Sequence, residues 1–324
     1  MSLRSNFFKR ISASFIMLAL LMTSCSSEIP QTETVLLPSA TISQNDLTIA
    51  TVAISATTAI VETTETTPAE KKYNPNDPES WKFLPVIPDS VSERVKEIYR
   101  AGIENGMNPN AFSKAGDCET YTDYFLAPFD LKETGFRLGE YTSLEQVIEK
   151  YKGSFARRSI AAKQGFNVAS VLSPLWADTT QCKSNEAPLI CEIRLYKPSI
   201  MLIMFGTNDV NMSSADAFEK NLRQLIDFTI ANNVVPVLAT KADNLEGDGS
   251  INAIIARVAY EYEIPVWNLW RALQELPSGG LKEDQIHLTY AQPFFDNTEN
   301  MQNGWPVRNL TALQMLEFLM IELP

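Results

Sequence analysis

Three short motifs in this chain carry side chains able to do acyl chemistry. Ala115-Gly116-Asp117-Cys118 ends in a thiol. Phe205-Gly206-Thr207-Asn208-Asp209 carries a primary amide, and Asp284-Gln285-Ile286-His287 couples a carboxylate to an imidazole. His287 is the only histidine among 324 residues, and therefore the only side chain that ordinarily changes charge near neutral pH. A thiol or hydroxyl that attacks a carbonyl needs a base to take its proton. Asp284, three residues before His287, can hold the imidazole in one tautomer and stabilise the imidazolium. The tetrahedral intermediate needs donors for its oxyanion, and the Asn208 amide and the Cys118 N–H are suitable. No pair of cysteines has the spacing of a zinc site, and one histidine cannot supply a histidine cluster. Neither a metal nor a cofactor is expected.

These motifs must be positioned by regular elements. Ser90-Val91-Ser92-Glu93 reads as a capping box, opening a helix with Val91, Val95, Ile98 and Tyr99 on one face and Gly106 as its stop. Residues 111–116 form a short strand candidate ending at a glycine. Residues 198–206 are a largely apolar run closed by Gly206, the pattern of a buried parallel strand. Phe218, Leu222, Leu225 and Ile226 line one face of a helix over 217–231. A strand at 234–239, a helix at 251–262, a strand at 264–269 and a helix at 310–323, capped by Asn309, complete the series. Strands alternating with helices predict a flavodoxin-like, three-layer α/β/α fold with a parallel sheet of about five strands. Ligands of such sheets sit outside the carboxyl ends of the strands, so the first two motifs can share one rim.

At these residues the chain resembles the SGNH/GDSL hydrolases. That family places a nucleophilic serine in Gly-Asp-Ser, an asparagine in Gly-x-Asn-Asp and an Asp-x-x-His pair late in the chain. Gly206-Thr207-Asn208-Asp209 and Asp284 with His287 match the second and third blocks. Gly116-Asp117 match the first, with Cys118 in the serine place. The resemblance spans residues 112–287. It implies acyl transfer to water with Cys118 as nucleophile, His287 as general base and Asp284 as its orienter. The family's remaining block contributes a glycine N–H to the oxyanion site. Phe166-Asn167-Val168-Ala169-Ser170 puts Ala169 in that place, and a backbone N–H from alanine serves if its φ is negative. The cysteine is a departure. A thiol, with a pKa of about 8.5, ionises more readily than a hydroxyl, but outside the cell it is open to oxidation.

The N-terminus points outside the cell. Arg4, Lys9 and Arg10 precede the apolar run from Phe15 to Met22, followed by Thr23, Ser24 and Cys25, a signal-peptide layout too short for a membrane span. Leu21-Met22-Thr23-Ser24-Cys25 resembles a bacterial lipobox, which implies a signal peptide at 1–24 and a lipid-modified Cys25. Residues 26–72 lack glycine and aromatics and are rich in Thr, Ser, Ala, Glu and Pro, the composition of a disordered tether. The expected layout is therefore a signal peptide at 1–24, a lipidated tether at 25–75 and a hydrolase-like domain at 76–324, held at the outer face of a bacterial membrane as a monomer. The formal charge of −12 argues against nucleic acid, whose phosphates need a basic surface. Four cysteines are present. In an oxidising compartment the simplest pairing is Cys182 with Cys191, across a short, mostly polar stretch, leaving Cys118 as a thiol.

Several alternatives stand beside these readings. Cys118 fits a core thiol or a partner of Cys182 or Cys191. Asn208-Asp209 fits a helix cap, and Asp117 a support for its turn. Residues 174–178, with Trp176, and Trp305 fit pocket walls as well as core plugs. For the whole chain, an acyl-ester hydrolase acting on small esters or acylated carbohydrate stands against an inactive lipoprotein of the same fold that binds carbohydrate or a protein. A thiol redox protein is the third reading, weakened because no second cysteine lies close to Cys118.

Overall fold

A computed structural model describes residues 73–131 and 135–324. The expected signal peptide, Cys25 and the tether up to residue 72 lie outside the described residues. The chain passes through α1 (Glu93–Glu104), β1 (Asn108–Gly116), α2 (Cys118–Tyr121), α3 (Pro128–Leu131), α4 (Leu144–Lys150), α5 (Val168–Leu172) and α6 (Pro188–Tyr196). It continues through β2 (Pro198–Met204), α7 (Thr207–Met212), α8 (Ala215–Ala231), β3 (Val235–Ala239), α9 (Ser250–Tyr262), β4 (Val266–Trp267), α10 (Leu269–Leu273) and α11 (Gly304–Glu322). Among the described residues no helix is long and apolar enough to cross a membrane.

The four strands form one parallel sheet in the order β1-β2-β3-β4. About five were expected. The missing strand survives as a single parallel bridge between Gly116 and Ala162 on the outer side of β1, where Gly116 N donates to Ala161 O and Lys163 N donates to Gly116 O. With that bridge counted, the spatial order in chain sequence is 2-1-3-4-5, the flavodoxin-like order. At Phe112 the outer edge of β1 is met by side chains. Phe112 N donates to Ser154 Oγ at 3.4 Å, and Arg157 Nη2 donates to Phe112 O at 3.2 Å.

Every residue of β2 and β3 is buried, as apolar strands covered on both faces must be. Each such Ile, Leu or Val contributes roughly 1.5–3 kcal/mol by leaving water. Helices α5, α6 and α8 pack together, with α9 against α8, while α4 and α10 pack on α11. Trp267 of β4 is fully buried and donates from Nε1 to Thr311 Oγ1 of α11 at 3.1 Å.

Three local expectations are corrected, and one open choice is settled. The cap of α1 is Ser92, whose side chain accepts from Val95 N, so the box does not start at Ser90. The 264–269 strand shortens to Val266–Trp267, because Asn268 accepts from Arg271 N to cap α10. Asn309 is no cap, since α11 begins at Gly304. Asn309 is buried inside it, accepting from Leu126 N at 2.8 Å and donating to Tyr124 O at 2.9 Å. Trp305 is a core plug, 3% exposed. The Cys182–Cys191 disulfide forms, with Cα atoms 5.3 Å apart.

Candidate active site

The thiol-bearing turn leaves β1 at its carboxyl end. Asp117 is the N-cap of α2, accepting from Glu119 N at 3.0 Å, and Cys118 is the first helical residue. Asp117 thus supports the turn. Desolvation, together with the neighbouring Glu119 charge, pushes its carboxyl up to about 7, against the pull of Arg308 and the Glu119 N–H. Cys118 is partly exposed and takes no part in the disulfide.

The amide-bearing turn leaves β2 at the same end of the sheet. Gly206 caps α7 at φ 132°, where a Cβ would press on Ile251 and Lys241. Only glycine fits such a conformation. Asn208 and Asp209 do not cap α7; both reach across to the 166–169 segment. Asn208 Nδ2 donates to Phe166 O at 2.8 Å, and Asp209 Oδ1 accepts from Val168 N at 3.1 Å. One Asn208 N–H is thereby spent on holding the side chain in place, and a primary amide has a second to offer. Burial raises the Asp209 carboxyl to about 6, opposed by the N–H groups of Val168, Gly206 and Asp209 itself. Asn167 caps α5 by accepting from Ser170 N. Ala169, exposed and without a positive φ, is the second residue of that helix, so its N–H is a first-turn donor with no acceptor inside the helix.

The imidazole stands on a loop rather than on a helix or strand. His287 Nδ1 lies 2.7 Å from Asp284 Oδ2, while Asp284 Oδ1 accepts from the N–H groups of Ile286 and His287. Burial raises the Asp284 carboxyl, but the His287 N–H, its ring and the Ile286 N–H outweigh that and bring it down to about 2. Lys282 N donates to His287 O, and Thr289 N donates to Gly280 O. The loop is clamped onto the start of α11, where Gly304 N donates to Thr289 Oγ1 at 2.8 Å and Trp305 N donates to Thr289 O. A Cβ on Gly304 would collide with Gly280 O and Leu288.

The three motifs converge. One cavity is lined by Asp117 and Glu119, on either side of Cys118, by Thr207 beside Asn208, and by Ile286 and Leu288, on either side of His287. Glu119 and His287 are also electrostatically coupled. Asn208 and Ala169 are joined through the Phe166–Val168 backbone. Residues of all three motifs thus share the walls of one cavity. Trp176 is half exposed, its ring 6.1 Å from that of Phe166.

Residues that sequence reasoning missed complete the cavity. Arg308 of α11 is buried against Glu119 and Met204. Lys241 Nζ pairs with Asp243 Oδ1 at 2.6 Å, and Thr207 Oγ1 donates to Asp243 Oδ2 at 2.6 Å. The available signal was that Arg308 is the only basic residue in the last twenty positions of the sequence.

No known protein family matches the chain, and no curated protein matches it. Solved structures do. A psychrotrophic esterase from Pseudoalteromonas sp. shares 14% identity at a TM-score of 0.42, covering 65% of this chain and 99% of that one. A GDSL-like lipase from Bacteroides thetaiotaomicron VPI-5482 shares 14% at 0.40, covering 69% and 98%. An acetyl xylan esterase variant from Geobacillus stearothermophilus shares 15% at 0.41, covering 66% and 95%. In fold, with its parallel sheet flanked by helices, the chain is similar to these two esterases and this GDSL-like lipase.

Proposed function

We propose that this chain is a lipid-anchored, extracytoplasmic hydrolase of small acyl esters. Cys118 is the nucleophile, His287 the general base and Asp284 its orienting carboxylate. Asn208 and the N–H groups of Cys118 and Ala169 form the oxyanion site. The observation that carries this reading is the single cavity walled by the sequence neighbours of Cys118, Asn208 and His287, beside a His287–Asp284 contact of 2.7 Å.

In acylation, His287 Nε2 takes the thiol proton and the sulfur bonds to the acyl carbon. The alcohol leaves with that proton, and a thioester remains. Water, giving its proton to the same nitrogen, then attacks the thioester. The carboxylic acid departs and Cys118 regains its proton. Acylated carbohydrate of the envelope or its surroundings is the proposed substrate class, in keeping with an anchor at Cys25.

Hydrolysis of p-nitrophenyl acetate by the purified full chain tests the reading. Turnover is expected in the unmodified protein. It should be abolished by thiol alkylation, by Cys118→Ala and by His287→Ala. An inert parent protein that gains turnover on Cys118→Ser would instead identify an inactive member of the fold, and turnover unaffected by Cys118→Ala would overturn the assignment.

A further inference from the structure

Arg308 is 4% exposed, yet its guanidinium is poorly paired. Nη1 reaches Glu119 Oε2 at 3.4 Å, Nη2 meets Met204 Sδ at 3.2 Å, and Nε has no hydrogen-bond partner. The Phe125 and Trp305 rings lie 4.4 and 5.2 Å from its central carbon. Buried arginines ordinarily satisfy their donors, most often with a bidentate carboxylate, and an under-paired buried charge calls for an explanation. The place of the guanidinium supplies one. It lines the cavity whose walls include both neighbours of Cys118 and both neighbours of His287. Besides the Asp117 and Glu119 carboxylates in its walls, the anion that can form between those residues is the Cys118 thiolate.

We propose that Arg308 is a positioning residue that stabilises the Cys118 thiolate, with Glu119 as the counter-ion that tempers it. The proposal rests on the reading of Cys118 as nucleophile, and adds to it the group that makes a thiol usable there. The charges around the sulfur come from several elements. Asp117 and Glu119 lie on its own turn and Arg308 on α11. Lys282, Asp284 and His287 come from the loop before α11, and Lys241 and Asp243 follow β3. Of these, Arg308 is the buried cation that feels the charges of Glu119, then Asp117, then Cys118. Lys241 is already held by Asp243 and Glu246.

The test reads the thiol and not turnover, so its result is independent of whether the chain is an esterase. The full-length protein is treated with iodoacetamide across pH 5–10, and alkylation of the Cys118 peptide is followed by mass spectrometry. For Arg308→Met the midpoint of the rate profile should rise by about 1 in pH, roughly a tenfold slower reaction near neutrality. Arg308→Lys should restore most of the rate. Glu119→Gln should move the midpoint the other way. A purely structural role predicts no such opposition between the two charge removals. Unchanged profiles in Arg308→Met would overturn the proposal. Should that variant fail to show a cooperative melt, an unchanged or raised midpoint in Glu119→Gln overturns it instead.

Discussion

The Nδ1 atom of His287 sits 2.7 Å from Oδ2 of Asp284, and the other oxygen of the same carboxylate accepts the backbone N–H groups of Ile286 and His287. One residue therefore shapes the turn and sets the ring's tautomer. Asp284→Asn keeps an oxygen for the turn but offers the ring an N–H donor. The expected result is a fall in kcat of about 10²–10⁴, little change in KM, and a melting temperature within a few degrees of the parent. Steady-state kinetics and a thermal melt on the same sample check it.

Asn208 is anchored by Phe166 O, so its truncation removes both an oxyanion donor and one tie to the α5 segment. Asn208→Ala should lower kcat by about a hundredfold, on the order of 3 kcal/mol of transition-state stabilisation. The stability cost should be nearer 1 kcal/mol. A loss of activity no greater than the loss of folded protein would count against the donor role.

Asp117 titrates at about 7 in the folded chain and near 3.8 when unfolded. Between those values the native state holds the extra proton, so stability falls as pH rises from about 4 to about 7 and levels off above. Asn is as good a cap as Asp and carries no charge to bury. Asp117→Asn should melt higher than the parent at pH 8 and show a shallower slope across pH 4–7. Part of the slope will persist, because Asp209 is raised to about 6 by its own burial. Urea unfolding at several pH values measures this.

The clamp beneath the imidazole is sterically tight. Gly304→Ala would drive a methyl into Gly280 O and Leu288, displacing the loop that carries His287. A destabilisation of roughly 1–3 kcal/mol is expected, with a larger proportional loss of kcat than of folded protein. Denaturant titration beside an activity assay separates the two.

Replacing Cys182 and Cys191 together by alanine opens a link between residues nine apart. The expected cost is about 2–3 kcal/mol, with catalytic constants unchanged because the bridge lies outside the cavity walls. Chemical denaturation and kinetics of the double variant check both halves.

Much of the layering was legible in the sequence because β2 and β3 are apolar runs with no polar alternation and α8 keeps one clean apolar face. The first two motifs were legible because each follows a strand whose period can be read, and the third because it holds the lone histidine three residues after an aspartate. What escaped depended on tertiary partners. Nothing in Ala161-Ala162 announces a strand reduced to one bridge. Asn309 has a good cap's chemistry, yet its partners, Leu126 and Tyr124, lie far away in sequence. Arg308 lay in the stretch assigned to the loop before a helix, so its burial beside Glu119 had no local signature. Asp209 looked like a helix cap until Val168 supplied a nonlocal donor.

Each border of the sheet carries a feature that hinders addition of a further strand. On one side Ser154 and Arg157 occupy the N–H and C=O of Phe112. On the other, β4 is two residues long and follows directly after Pro265. Side-chain partners on one border and a short strand after proline on the other are features that blunt a sheet edge against pairing with a foreign strand.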